Sequence, residues 1–345
     1  MITRTFLKSS VLAVLLSIGL GGAAWATDIF LVASYDENDV CGRPQYEAAM
    51  DALKQGGFAN LSSKGYFLDT RVRPKEQVAK DIEQIKHDIR TQKPRFVFTI
   101  DDPAFAMLYQ EILQQPETKL VFTGLNRSLD AYNTKAPFLE KRTPSANITG
   151  TFEYIFMREQ FDMLEAILNK PLKKVAILYS TDSVGLILKD QIIDELKGSQ
   201  HENSLELFAA DDIPTMLAHA RTINERDDID AYIPVTMSVP DPADNTRKTM
   251  QAVAPLLTQT IRKIDISLNS SFTEFGFFGG VSIDFYQMGF QSGFQAVKLL
   301  KGGRITDAPI EDANRSIIAI NRKRMQELGI KLAPETQGIV DTWIN

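Results

Sequence analysis

The chain has 345 residues, a formal net charge of −6 and a sequence pI of about 5.3. This acidic balance makes nucleic acid and anionic lipid poor partners, because both bind basic surfaces. With 44% hydrophobic residues the chain can bury a sizeable core, and its length is typical of two domains.

The N-terminal segment predicts export. Residues 1–26 combine a basic start at Arg4 and Lys8, an apolar stretch over 11–20 and a small-residue end, Ala-Trp-Ala. This pattern is typical of a cleavable secretory signal, and we expect cleavage after Ala26 and a periplasmic location. An uncleaved membrane anchor is the less favoured alternative, because the apolar stretch is shorter than a spanning helix. Losing two of 38 basic residues leaves 36 against 44 acidic ones, a net charge of −8.

Short apolar runs alternate with longer amphipathic stretches along the rest of the chain. This pattern predicts βα units around parallel sheets, and its restart near residue 147 predicts a second sheet. The predicted strands are 28–35, 65–71, 95–101, 119–125, 147–153, 173–180, 204–209, 230–236, 263–268, 277–283 and 314–320. The predicted helices are 44–56, 75–91, 103–115, 158–169, 184–197, 213–225, 244–260, 285–301 and 321–328.

Polar residues follow nearly every predicted strand. Ligands of doubly wound sheets bind at the carboxyl ends of the strands, where loops meet helix N-termini. Helix capping is the competing interpretation, because the same residue types are favoured N-caps. The candidate ligand-binding residues at these ends are Ser34, Tyr35, Asp101, Asp102, Thr123, Gly124, Asn126, Ser180, Thr181, Asp182, Ser183, Thr236, Met237 and Asn269.

The candidate residues predict a small zwitterionic or amine-bearing ligand, most simply an amino acid or a derivative. Carboxylates at Asp102 or Asp284 suit a cationic group. The hydroxyls within 180–183 and the N–H groups that open helix 184–197 suit an anionic group. An aromatic or apolar wall is predicted from three further side chains, namely Tyr35, Phe152 and Tyr154.

Catalytic and cofactor motifs are absent from the sequence. It contains no G-x-S-x-G elbow, no P-loop and no H-E-x-x-H, and its three histidines are scattered. We therefore expect no enzyme, no cofactor and no metal. Cys41, the one cysteine, is expected to be a small buried hydrophobe at the start of the first helix. The acids of the loop 36–39 are expected to form a solvated rim, with a calcium site as the less favoured alternative.

Four segments carry a family resemblance in a characteristic order: VFTIDDPAFAMLYQEIL, KLVFTGLNRSLDAYN, GGVSIDFYQMGFQSGFQAVKLLKGGRITDAPIE and SIIAINRKRMQELGI. They resemble the ABC-transporter substrate-binding family, whose members include tryptophan- and phenylalanine-binding proteins and have the type I periplasmic binding protein fold. The resemblance covers most of the chain after the signal segment and is firmest over 281–329.

This resemblance implies an α/β protein with two Rossmann-like lobes, parallel sheets and three interlobe crossovers. The N-terminal lobe is expected to comprise 27–147 and 284–305, and the C-terminal lobe 148–283 and 306–345. The implied function is capture of a small polar ligand between the lobes for the membrane permease of an ABC importer. The alternative is a sensory subunit that presents its closed form to a membrane receptor kinase or cyclase. We expect a monomer in either case.

Overall fold

The computed structural model describes residues 27–345, so the predicted signal segment lies outside the described residues. Within this range the chain forms two α/β lobes, each built around a parallel sheet. None of the helices in 27–345 combines the length and the apolar character needed to cross a bilayer. The predicted fold class is confirmed.

The N-terminal lobe has six parallel strands in the order β15-β7-β4-β3-β1-β2. Its central strands β1 and β3 are buried throughout, as expected for strands covered by helices on both faces. Its first elements are β1 (Ile29–Ala33), α1 (Gly42–Gln55), β2 (Ser63–Phe67), α2 (Lys75–Gln92), β3 (Phe96–Ile100), α3 (Asp101–Leu113), β4 (Lys119–Leu125), α4 (Leu129–Asn133), β5 (Leu139–Glu140), β6 (Thr143–Pro144) and β7 (Ile148–Phe152).

The C-terminal lobe has four parallel strands in the order β13-β10-β8-β9. Single parallel bridges, Ile266 to Gly279 and Asn269 to Ile283, connect this sheet to β14. Its elements before the second crossover are α5 (Met157–Leu168), β8 (Val175–Ser180), α6 (Ser183–Leu196), β9 (Leu205–Ala210), α7 (Ile213–Glu225), β10 (Ala231–Val235), β11 (Ser238–Asp241), β12 (Thr246–Thr249), α8 (Met250–Thr260), β13 (Ile264–Asp265), α9 (Ser270–Glu274) and β14 (Gly279–Ile283).

The last part of the chain contributes elements to both lobes. It returns to the first lobe and then completes the second, where β16 pairs antiparallel with β14 and parallel with β17. Its elements are α10 (Phe285–Leu300), a 3₁₀ turn (Ile305–Asp307), β15 (Glu311–Asp312), β16 (Ser316–Asn321), α11 (Arg322–Glu327), α12 (Pro334–Gly338) and β17 (Thr342–Ile344).

The chain passes between the lobes three times, as predicted. The crossovers are 153–156 after β7, Asp284 after β14, and 313–315 after β15. The strand pairing places the divisions later than the boundaries expected after residues 147 and 305. Both β7 and β15 belong to the first sheet, because β7 pairs with β4 and β15 pairs with β7.

Helix α10 belongs to the first lobe because two glycines let it approach α1 closely. A Cβ atom at Gly289 would lie 2.4 Å from the backbone oxygen of Gln45, and one at Gly293 would lie 2.6 Å from that of Ala49. Neither position tolerates a side chain without moving the helices apart. The G-F-x-x-G spacing is therefore a packing motif that anchors the returning chain.

Most predicted elements have close counterparts, and the helix predicted at 213–225 has those bounds. The helix predicted at 244–260 is wrong in its first part. Residues 246–249 form strand β12, which pairs antiparallel with β11, so helix α8 begins at Met250. The strand predicted at 65–71 ends at Phe67, which leaves Arg71 in a loop.

Candidate ligand-binding site

A small cavity of about 50 Å³ lies between the lobes, where the carboxyl ends of their strands face each other. Asn126 lines both this inner cavity and a larger outer cleft of about 880 Å³. The inner cavity is lined from the first lobe by Tyr35, Cys41, Arg71, Asp101, Asn126 and Phe285, from the first crossover by Glu153, and from the second lobe by Val184, Leu188, Met237, Leu268, Asn269 and Phe272.

Asp101 presents an unpaired carboxyl oxygen to the inner cavity. It is the first residue of α3, exposes 6% of its surface and has a left-handed backbone with φ of 65°. Its Oδ2 atom is buried and accepts no hydrogen bond from any residue in 27–345. Burial raises the pKa of Asp101 well above its usual range, and the charges of Glu153 and Asp39 raise it further. An unpaired buried carboxylate on a strained backbone is a common feature of functional sites.

Glu153 is a second buried carboxylate, on the first crossover. Burial raises its pKa to about 8, the charges of Asp102 and Glu195 add to the shift, and a hydrogen bond from Asn126 opposes it. Its backbone oxygen accepts a hydrogen bond of 2.6 Å from Nε2 of Gln191 on α6. Glu153 is therefore mostly protonated at neutral pH.

Arg71 is the cation among the residues that line the inner cavity, and it already has partners. Its guanidinium lies 3.4 Å from the centre of the Tyr35 ring, and its Nη1 lies 2.6 Å from Oδ2 of Asp39. Burial raises the pKa of Tyr35, so the phenol is neutral. This arrangement balances the charge of Arg71, whose side chain is 44% exposed, and fixes the face of the aromatic ring.

The acidic first loop has two kinds of carboxylate. Asp36 and Glu37 are exposed, as expected for acids on a solvated rim. Asp39 departs from that expectation, because it is buried between Arg71 and the start of α1. Its Oδ1 accepts hydrogen bonds from the backbone N–H groups of Cys41 and Gly42, at 3.1 and 2.8 Å. Capping a helix and pairing a guanidinium together stabilise this buried charge.

Cys41 lies at the start of α1 and is half-buried. Burial, with the charges of Asp39 and Asp101, raises the pKa of its thiol well above the usual range, so it is a poor nucleophile. In the described part of the chain, the group of side chains close enough to share a metal ion is Asp162, Glu165 and His201, which does not include the first loop.

Several predicted residues of the first lobe have internal partners instead of facing the inner cavity. Asp102 accepts hydrogen bonds from the Asn126 backbone N–H at 2.9 Å and from the Tyr132 hydroxyl at 2.7 Å, so it anchors the loop after β4. The Ser34 hydroxyl accepts from the N–H of Ala104 in α3. The remaining two, Thr123 and Gly124, lie beside Gln45, to which Thr123 donates at 2.8 Å.

The predicted polar residues of the second lobe are also used internally. Asp182 caps α6 by accepting from the N–H groups of Val184 and Gly185, at 3.0 and 3.3 Å. Ser180 donates to Asp182, and Thr181 donates to Asp211. These contacts occupy the helix end that we expected to bind an anion. The others are Ser183 at the start of α6, Thr236 beside Met250, and Asp284, which caps α10.

The outer cleft contains the two remaining aromatic candidates, Phe152 and Tyr154. Across it, Nδ2 of Asn126 donates to Oε1 of Gln191 at 3.2 Å, a direct hydrogen bond between the lobes. Gln191 also donates to Glu195, whose pKa burial raises to about 7. The structure therefore divides the predicted residues between an inner cavity, an outer cleft and internal capping positions.

Sequence reasoning missed Arg71, Glu153 and most of the apolar lining. Arg71 was hidden because the strand predicted at 65–71 extends four residues past the end of β2 at Phe67. Glu153 lies between two predicted aromatics, so its place next to Phe152 and Tyr154 was the available signal. The apolar lining from the second lobe, such as Leu268 and Phe272, had no signal beyond ordinary hydrophobicity.

Two α/β lobes, three crossovers and an enclosed site at the strand ends define a bilobal binding protein of the type I periplasmic class. The model of the family described as ABC transporter substrate binding protein matches residues 45–337, and the chain belongs to that family.

Relatives are distant in sequence but similar in fold. A curated Tyrosine-binding protein of Clostridioides difficile (strain R20291) is 20% identical over 287 residues, which cover 82% of this chain and 78% of that protein. An open, ligand-free substrate-binding protein with adhesive properties from Clostridium difficile is 16% identical, with a TM-score of 0.69 over 92% of this chain and 98% of its own. A domain from Streptococcus pneumonia in complex with L-Trp is 18% identical, with a TM-score of 0.64 over 92% of this chain and 100% of its own.

Proposed function

We propose that this protein is the periplasmic solute-binding component of an ABC importer. After cleavage behind Ala26, it captures a small amine-bearing solute between its lobes, with an amino acid or a derivative as the favoured class. It binds the solute without changing it and delivers it to a membrane permease as a monomer. The observation that carries the proposal is the unpaired, buried Oδ2 of Asp101 in a cavity lined by both lobes.

The chemistry of the cavity supports an amine-bearing ligand. A buried carboxylate gains a strong charge-assisted hydrogen bond from an ammonium group, and that bond forms only when the lobes enclose the ligand. Apolar side chains such as Leu188, Phe272 and Phe285 would surround the rest of the molecule. The relatives whose printed names mention tyrosine and L-Trp support an amine-bearing solute.

Native mass spectrometry of gently purified protein, followed by a thermal-shift screen of amino acids and amines, tests the ligand class. A ligand at 100 times its dissociation constant should add about 2.7 kcal/mol of apparent stability. Asp101→Asn should weaken binding by at least about ten-fold, which corresponds to about 1.4 kcal/mol. Asp227→Asn is the matched control, because Asp227 is exposed on the second lobe. A copurified neutral sugar or metal ion, or wild-type affinity in Asp101→Asn, would contradict the proposal.

The permease role is tested by uptake of the identified ligand in cells with and without this gene. Loss of uptake on deletion, restored by the wild-type gene and not by the Asp101→Asn variant, is the expected result. Normal uptake in the deletion strain, with a ligand-dependent change in a membrane kinase or cyclase, would instead favour the sensory alternative. No observation within residues 27–345 favours that alternative.

A further inference from the structure

The ionisable groups of the inner cavity are out of balance within the described residues: Asp101 and Glu153 form no ion pair, and Arg71 is already paired with Asp39. From this we infer that the ligand is an organic cation without a carboxylate group, an amine or guanidine on a compact apolar body. This inference rests on the proposed function and narrows its ligand class. It separates this protein from binding proteins for zwitterionic amino acids, which need a partner for each of the two charges.

Helix N-termini are the first places where a carboxylate would bind, and those around the cavity are already capped. Five helices, α1, α3, α6, α9 and α10, begin at or beside the cavity. In each of them a protein oxygen accepts a hydrogen bond from a backbone N–H of the first turn. These oxygens belong to Asp39, Ser34, Asp182, Asn269 and Asp284, in the same order. Three of the five are carboxylates, so a ligand carboxylate would meet negative charge at those three helix ends.

Arg71 is the second place where a carboxylate would bind, and its charge is already balanced. Its ion pair with Asp39 at 2.6 Å and its stacking on Tyr35 at 3.4 Å hold the guanidinium at one side of the cavity. Displacing Asp39 from Arg71 would leave that buried carboxylate without a cation, with only its hydrogen bonds from the start of α1. The arrangement thus disfavours a ligand carboxylate at Arg71.

The two remaining acids, Asp101 and Glu153, have no cationic partner in the described part of the chain. Neither Asp101 nor Glu153 forms an ion pair with any residue in 27–345, although each is more than nine-tenths buried. Burial raises the pKa of both groups, which favours their protonated forms when no cation is beside them. A cationic ligand would replace these protons and satisfy the free Oδ2 of Asp101, whereas a zwitterion would bring a new negative charge into the same space.

The rest of the lining defines the body of the ligand. Six of the thirteen residues that line the cavity have apolar side chains, and a seventh is the weakly polar Cys41. The six are Val184, Leu188, Met237, Leu268, Phe272 and Phe285. The phenol ring of Tyr35 adds an aromatic face. Such a lining binds the hydrocarbon part of an amine by burial and leaves recognition to the carboxylates.

Isothermal titration calorimetry at pH 7.5 with matched pairs tests the inference. The pairs are tyrosine and tyramine, tryptophan and tryptamine, leucine and isoamylamine, and arginine and agmatine. Tyrosine methyl ester keeps the bulk of the amino acid without its negative charge and serves as the steric control. In at least one pair, the amine should bind at least ten-fold more tightly than the amino acid, and the ester of tyrosine should bind more tightly than tyrosine.

The ratio of amine affinity to amino acid affinity, measured in the Asp101→Asn variant, provides an independent test. Removing this negative charge should weaken amine binding and lower the ratio of amine to amino acid affinity at least three-fold, whereas Asp227→Asn should leave the ratio unchanged. If an amino acid binds more tightly than its amine, the inference is overturned and the proposed function stands. If no compound of the panel binds, both the inference and the amine-binding part of the proposed function are overturned.

Discussion

Replacement of Glu153 by Gln should change the pH dependence of stability in the ligand-free protein. Burial raises the folded-state pKa of Glu153 to about 8, against an ordinary value of about 4.5. Between these two values the folded protein holds a proton that the unfolded chain releases. The free energy of unfolding therefore falls as pH rises from about 4.5 to about 8, because stability decreases wherever the native state binds more protons.

The size of this effect follows from the shift in pKa. A difference of about 3.5 pH units, at about 1.36 kcal/mol per unit, sets an upper limit of about 5 kcal/mol for Glu153. Water entering through an opened cleft would reduce it, so we expect Glu153→Gln to be more stable than wild type at pH 8 by about 1 to 5 kcal/mol. At pH 5 the difference should be below about 1 kcal/mol, because this pH is only slightly above the ordinary pKa that Glu153 has in the unfolded chain.

Urea unfolding at pH 5 and pH 8, without ligand, measures this difference directly. Glu159→Gln is the matched control, because Glu159 is an exposed carboxylate on the neighbouring helix α5. The control should keep the wild-type dependence on pH. Equal stability of wild type and Glu153→Gln at both pH values would refute the assignment of a buried, protonated carboxyl group at the cleft.

Further predictions concern binding, packing and closure. The affinity of wild type for an amine ligand should rise at least ten-fold from pH 5.5 to pH 8.5, because Asp101 and Glu153 must lose their protons to bind a cation. Calorimetry showing a constant affinity would argue against this. Arg324→Leu should lower the free energy of unfolding by about 3–5 kcal/mol, because it leaves the carboxylate of Asp265 buried without its partner at 2.8 Å. Denaturant titration tests this loss, and a change below about 1 kcal/mol would be inconsistent with a buried ion pair. Cys41→Ser should keep ligand affinity within a few-fold, and loss of binding by a folded variant would assign the thiol a role in recognition. Small-angle scattering should show a smaller radius of gyration with saturating ligand, and an unchanged radius would argue against closure of the lobes.

The order of the main elements could be read from the sequence because it depends on local periodicity. Alternating apolar runs and amphipathic stretches predicted the parallel sheets and the helix at 213–225, and the family motifs predicted the three crossovers. The hairpin of β11 and β12 was not predicted, because it depends on pairing between two separate segments and not on local periodicity. Residues 246–249 form a strand only because β11 pairs with them, and that pairing is absent from the local pattern.

The roles of the polar residues at the strand ends were decided by tertiary structure. Sequence alone showed that Asp101 and Asp102 follow a strand, but the left-handed backbone at Asp101 turns its carboxylate to the cavity and leaves Asp102 to hold the next loop. The same residue types serve as helix caps and as ligand contacts, since both roles need an oxygen near a backbone N–H. Which role each one has depends on the packing of the two lobes, which alone brings Glu153 and Arg71 to the same cavity.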